Sequence, residues 1–201
     1  ADNYIAYGYD GLLLTDQLWT GAGAIITGSV KIDFNNELNQ SAVSINGADT
    51  ISLDYDNDQL LIQAGAMTLI RHPQTGLVEE LALGSVVENY VYNEFGELEQ
   101  QTAQYNTTTL YDVIYGYDEV GRVSTKAETI QGVTTYYTYH YDAYGQLEEV
   151  LVNSLVAATY DYDLNGNRLS HSDGVTTTTG SYDNQDRLET YGVNEYSYNA
   201  N

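Results

Sequence analysis

The 201-residue sequence has no cysteine, one proline, one tryptophan, two phenylalanines and only six lysines and arginines. Without cysteine there is neither a disulfide framework nor a thiolate metal site. One proline beside eighteen glycines leaves no room for a Pro/Gly-rich filament or a long flexible linker. Six cations against twenty-nine Asp and Glu give a formal charge of −23. That field repels phosphate backbones and anionic lipid, so neither nucleic-acid binding nor membrane insertion is expected. No apolar run approaches the about eighteen residues of a membrane span. The sequence opens on Ala1 rather than Met, which fits removal of a secretion signal. An acidic, Lys-poor, Tyr/Thr/Asn-rich composition points the same way, to a secreted, extracellular or cell-surface protein of bacterial source.

With 42% hydrophobic residues the chain is too apolar to be disordered. Twenty-one tyrosines dominate its aromatics, and a ring with a polar edge suits half-buried strand surfaces better than helix interiors. The tyrosines recur in a phrase, Tyr-x-Tyr-Asp-x-x-Gly-x-Leu. One copy is Tyr115-Gly-Tyr117-Asp118-Glu-Val-Gly121-Arg122-Val123, and another is Tyr139-His-Tyr141-Asp142-Ala-Tyr-Gly145-Gln-Leu147. Tyr160-Asp-Tyr162-Asp163-Leu-Asn-Gly166-Asn-Arg168-Leu169 reads as a copy with one extra residue, and Tyr90-Val-Tyr92-Asn93-Glu-Phe-Gly96-Glu-Leu98 has Asn for Asp. Looser copies place the Asp position at 10, 33, 56, 73, 183 and 199, so ten registers have a mean spacing of 21 residues. The whole chain therefore reads as a single repeat domain, degenerate over residues 1–84 and regular over 85–201.

Each unit has the chemistry of a β-hairpin. Tyr-x-Tyr places two rings on one strand face, because side chains alternate. Asp or Asn opens a turn by bonding backbone amides ahead of it, Gly supplies positive φ, and Gly-x-Leu starts the return strand. β-Branched runs such as Val175-Thr-Thr-Thr-Thr179 lie between turns, and no segment keeps a helical period. The fold class is all-β, with about twenty short strands and essentially no helix.

The phrase resembles the YD repeat, also called the Rhs repeat, of bacterial Rhs proteins, the C component of insecticidal toxin complexes, wall-associated proteins and animal teneurins. The match is specific from Tyr90 to Asn201 and fainter before it. The resemblance implies a hairpin ribbon that spirals into a β-solenoid, closing in large members into a shell around another polypeptide. For ten registers it implies a short open spiral or one segment of a bigger wall.

Candidate sites each have a plainer alternative. Asp161, Asp163 and Asn165 match the first half of an EF-hand calcium loop, yet Ser172 stands where the bidentate Glu belongs and the same residues serve a repeat turn. Asp54, Asp56 and Asp58 form a second oxygen-rich turn. No cofactor is expected beyond weak Ca²⁺ screening of the acidic surface. His72, His140 and His171 fall in unrelated registers, no carboxylate pair stands out, and no catalytic residue is assigned. The four arginines mostly follow turns and are expected to pair with nearby carboxylates. Repeated tyrosines read first as a stacking ladder between hairpins, with carbohydrate binding as a secondary use of exposed copies.

The expected function is structural: a non-enzymatic wall protein, either a filament or tube subunit or a shell segment, with a carbohydrate-binding or adhesive module as the alternative. Tyr4 and Tyr7 near one end, and Tyr196 and Tyr198 near the other, mark strand edges expected to pair head-to-tail between copies.

Overall fold

The computed structural model describes residues 3–21 and 27–199. It contains nineteen strands in one antiparallel sheet, and no helix among the described residues. The chain runs β1 (Tyr4–Asp10), β2 (Leu13–Thr20), β3 (Gly28–Phe34), β4 (Gln40–Ile45), β5 (Ala48–Tyr55), β6 (Leu61–Ala64), β7 (Met67–Arg71), β8 (Val78–Leu83) and β9 (Val86–Tyr92). It continues with β10 (Leu98–Tyr105), β11 (Thr108–Tyr117), β12 (Val123–Ile130), β13 (Val133–Tyr141), β14 (Leu147–Val152), β15 (Leu155–Tyr162), β16 (Arg168–Ser172), β17 (Thr177–Tyr182), β18 (Leu188–Tyr191) and β19 (Asn194–Glu195). The hairpin reading of the sequence therefore holds over the described length. The Gly/Ala stretch at 22–24 lies outside the described residues.

Two compact units divide the strands, Ala1–Tyr90 with Gln104–Thr107, and Val91–Ala103 with Thr108–Asn201. In the first, one face is an aliphatic ladder. Val30 lies opposite Ile45, Ile32 opposite Val43, and Leu53, Ala64, Met67, Leu83 and Val86 follow one another across five strands. The other face is polar, with Asp16, Lys31 and Ser44 in one row and Asp54, Gln63 and Thr68 in another.

In the second unit the equivalent ladder is aromatic. Tyr115, Lys126, Tyr137 and Val152 form one row, Tyr139, Val150 and Ala158 the next, and Tyr160, His171 and Thr178 another. The opposite face is hydroxyl-rich, pairing Thr125 with Thr138, Thr159 with Ser172, and Ser170 with Thr179. Alternation along each strand produces both faces directly.

Burial is shallow. Among the described residues Val113 is the one buried hydrophobic residue, at 0% exposure. The chain exposes 13,832 Å², where a compact monomer of its 22.3 kDa exposes about 9,400 Å².

Two turn types alternate. Short turns such as Asn46-Gly47 and Gln131-Gly132 carry positive φ at both central residues, which matches the twist of the flanking strands. The other type is the five-residue turn of the repeat. Immediately before it the register shifts, at Asp54/Tyr55, Gly116/Tyr117, His140/Tyr141, Asp161/Tyr162 and Ser181/Tyr182. The return strand thus carries a bulged extra residue in each of these repeats, Glu148 and Leu169 among them.

This bulge corrects one reading of the sequence. Arg168 pairs with Tyr162 just as Val123 pairs with Tyr117 and Leu147 with Tyr141, so the Asp163 register has no insertion. Leu169 is only its bulge residue. Three degenerate registers also shift. The turn expected at Asp33 opens at Asn35, whose amide bonds the Asn39 carbonyl at 2.9 Å. The turn expected at Pro73 opens at His72 and is the one with an extra residue, Arg71 pairing with Val78. Asp10 lies in β1 opposite Leu13, leaving a tight Gly11-Leu12 turn. The register expected at Asn199 runs into residues outside the described ones.

Candidate functional site: the turn and tyrosine ladder

The repeated turn is built around one carboxylate or amide oxygen. Asp118 Oδ1 accepts the amides of Val120 (3.0 Å) and Arg122 (2.9 Å), while Gly121 N donates to the Asp118 carbonyl at 3.0 Å. Asp142, Asp163, Asp183 and Asn93 repeat this pair of side-chain bonds, and Asp56 and Asn35 do so in the first unit. His72 imitates it, its Nδ1 accepting from Gln74 and Thr75 at 3.3 and 3.2 Å. The fourth residue of the five-residue turns is left-handed: Gly121 at φ 80°, Gly145 at 84° and Gly166 at 88°, but also Leu38 at 66° and Gln59 at 64°. The fold imposes that conformation even where no glycine was available.

At Asp118, Asp163 and Asp183 these bonds favour the ionised carboxyl. Asp118 is held below the usual carboxylate range by the Arg122 amide, then by its guanidinium; Asp183 by the Arg187 side chain and amide; Asp163 by the Asn167 amide side chain and backbone.

The tyrosine before each turn forms the link to the preceding repeat. Its hydroxyl donates to the carbonyl of the first return-strand residue: Tyr117 to Leu98 (2.6 Å), Tyr141 to Val123 (2.7 Å), Tyr162 to Leu147 (3.0 Å), Tyr182 to Arg168 (3.2 Å) and Tyr198 to Leu188 (2.9 Å). Tyr55 does the same to Gln40 at 2.8 Å. Arg71 occupies that register position and reaches the Leu61 carbonyl with Nε at 2.9 Å, a guanidinium standing in for a phenol. Burial pushes the Tyr117 and Tyr162 phenols up, which keeps these two donors protonated.

Ring stacking accompanies these bonds. Tyr137 and Tyr139 stack at 6.5 Å, and Tyr160 and His171 at 5.1 Å. Cations fill more of the ladder. Arg122 lies 4.3 Å from the Tyr141 ring and Arg187 5.0 Å from that of Tyr198, each also paired with its turn aspartate. The expected carboxylate pairing therefore holds for two arginines. Arg168 instead donates to the Tyr191 hydroxyl, and Arg71 to the Leu61 and Gly76 carbonyls.

The oxygen-rich turns are committed to the backbone. Asp163 uses both carboxylate oxygens within its turn, Asn165 donates to Asp186, and Asp161 lies on β15 opposite Ser170. Asp56 accepts from Asp58 and Leu60, and Asp54 lies on β5. Among the described residues no three His, Asp or Glu converge on one point. His140 bonds Glu149 across strands at 2.8 Å, and the three histidines occupy separate places.

At the edges, Tyr4 and Tyr7 on β1 are 57% and 54% exposed. Tyr196 donates its amide to the Glu189 carbonyl while Tyr198 takes its ladder position beside β18.

Sequence reasoning identified the Tyr, Asp and Gly positions but missed Arg71 as a ladder member and the turn residue after each glycine as a contact to the next repeat. The second had a signal: Glu97, Arg122, Gln146 and Arg187 share the place four residues after the turn's first residue.

Comparisons with known proteins match this architecture. Human teneurin-4 is 33% identical over 109 residues, covering 52% of this chain and 4% of the relative; mouse teneurin-3 is 34% identical over 110 residues, with the same coverage. The chain thus spans about one twenty-fifth of these relatives. Among solved structures, the Photorhabdus luminescens Tc holotoxin pore superposes with a TM-score of 0.72 at 18% identity, covering 89% of this chain and 12% of that one. The TcdB2–TccC3 complex gives 0.72 at 18%, over 88% and 12%. The family model of the teneurin YD-shell matches residues 1–201, and the chain belongs to that family.

Proposed function

We propose that this chain is a segment of a protein wall, a non-enzymatic repeat ribbon whose work is to extend and enclose. The observation that carries the reading is the tyrosine-to-carbonyl ladder, which joins each repeat to the one before it and has no inherent stopping point. The shallow core supports it, since a wall segment shares its apolar area with neighbouring protein. Similarity to the shell of a toxin complex and to teneurins favours an extracellular setting, as the composition did, with other protein parts as partners.

Head-to-tail pairing is the finer part of the proposal. The exposed β1, with Tyr4 and Tyr7, meets the Tyr196–Tyr198 edge of another copy, and open repetition yields a filament or tube. Light scattering across a concentration series, with negative-stain microscopy at high salt, tests this. Growth of mass with concentration and visible rods are expected; a constant monomer mass at high salt overturns self-assembly and leaves the shell-segment reading.

Exposed rings such as Tyr136 and Tyr144, at 61% and 80%, supply the one observation favouring the glycan-binding alternative. Glycan-array binding that is lost when both are changed to Ala would replace the structural reading.

A further inference from the structure

In the second unit, turn stacking follows a rule. The side chain four residues into one turn reaches over the glycine of the next: a Cβ on Gly145 would lie 3.2 Å from the Arg122 guanidinium, one on Gly166 3.0 Å from the Gln146 amide, and one on Gly121 2.7 Å from Glu97 Oε1. At Arg122 and Arg187 the occupant is a cation that also covers the next ladder tyrosine, Tyr141 and Tyr198 respectively. Between the Asn93 and Asp118 turns the occupant is Glu97, and no cation lies on the ring of Tyr117 among the described residues.

A groove of about 740 Å³ opens there, with Tyr115 and Tyr117 in its lining, Phe95 and Val120 at its rim, and Glu97, Glu99 and Glu119 around it. Phe95 is 88% and Val120 73% exposed. At Tyr141 and Tyr198 an arginine fills the equivalent space, and over Gly166 the occupant is Gln146; here the lining is aromatic and the occupant a carboxylate.

We propose that this groove receives an arginine side chain from a basic segment of a partner polypeptide. The guanidinium takes the place over Tyr117 that Arg122 takes over Tyr141, bonding Glu97 and Glu119. Apolar residues flanking that arginine pack on Phe95 and Val120. The chain's charge of −23 steers such a segment inward and disfavours a second copy of this acidic chain as the occupant. The inference does not depend on the wall reading, because it concerns one groove and one side chain.

The probe is the peptide acetyl-Leu-Arg-Leu-amide, titrated into the full ¹⁵N-labelled chain, with acetyl-Leu-Gln-Leu-amide as the neutral control. Saturable amide shifts confined to residues 93–99 and 115–121 are expected with the arginine peptide, and at least about tenfold weaker binding with the control. Asn93→Asp combined with Glu97→Arg rebuilds the Asp118–Arg122 pattern and fills the groove from within; it should abolish the shifts while keeping the thermal transition. Glu119→Gln, outside the turn's hydrogen bonds, should weaken binding about threefold and serves if the double variant misfolds. Equal shifts with both peptides, shifts spread over the acidic surface, or unchanged binding in the filled variant would overturn the proposal.

Discussion

The two units solve one problem with different chemistry. In the first, neighbouring strands are joined by aliphatic rows such as Leu53, Ala64, Met67 and Leu83, and turn positions are filled by Asn35, Leu38, Gln59 and His72. In the second, tyrosine rows replace the aliphatic ones, and Asp and Gly hold the turns. Aliphatic contact is non-directional, so the first unit tolerates a Phe34 or an Arg71 where the regular repeat has tyrosine. The second relies on directed bonds, hydroxyl to carbonyl and carboxylate to amide, which demand the same residue at the same place in each repeat. The first unit keeps such bonds at Asn35, Tyr55 and Asp56 and makes them with substitutes at Arg71 and His72, beside its aliphatic rows.

Gly121→Val is the heaviest blow to the directed side. It places a β-branched residue at φ 80° with its Cβ 2.7 Å from Glu97 Oε1, and should cost about 1–3 kcal/mol in chemical denaturation. Gly11→Val, at φ 61° with nothing within 4 Å of the new Cβ, should cost less. Equal losses would mean that one packed core, not a repeat array, sets stability.

Acid sharpens the contrast. Asp118, Asp163, Asp173 and Asp183, all in the second unit, have folded-state pKa values depressed by hydrogen bonds to their turns. Depressed carboxyls stabilise fully above their unfolded values, about 3.9, and that contribution fades as pH falls through the lower folded values. Near-UV circular dichroism, which reads the tyrosine-rich unit, should therefore fade below about pH 4 before the fluorescence of Trp19 in the first unit changes. The opposite order would contradict the assignment of turn carboxylates as the acid-labile element.

A smaller effect runs the other way. Leu38 sits left-handed at φ 66° and is 64% exposed, so Leu38→Gly should raise stability by about 0.5–1 kcal/mol. A loss in thermal denaturation would show that its side chain makes contacts worth more than the backbone strain.

Much of this was legible in residues. Tyr-x-Tyr-Asp-x-x-Gly named the strand, the turn and the positive φ, because each has a local cause. The bulge at Leu169 was not, since it lies in how two strands pair, and its residue looked like an insertion. Nor was His72, whose ring nitrogen accepts amides as a carboxylate does, hidden behind the more conspicuous Pro73. The use of tyrosine was legible in part: rings repeated at one offset suggest stacking, and the structure adds a hydroxyl on a carbonyl one repeat away, 18 residues back for Tyr141. Sequence spacing alone does not show which atom of a side chain carries the bond.

That contact is the centre of the account, and Tyr141→Phe removes it while leaving the ring. Residue-resolved hydrogen exchange on this variant should show faster exchange at the amides of 118–123 and 142–147, the two turns it joins, with β3 and β4 unchanged. Protection identical to the parent chain would mean that ring packing, not the hydroxyl, links the repeats.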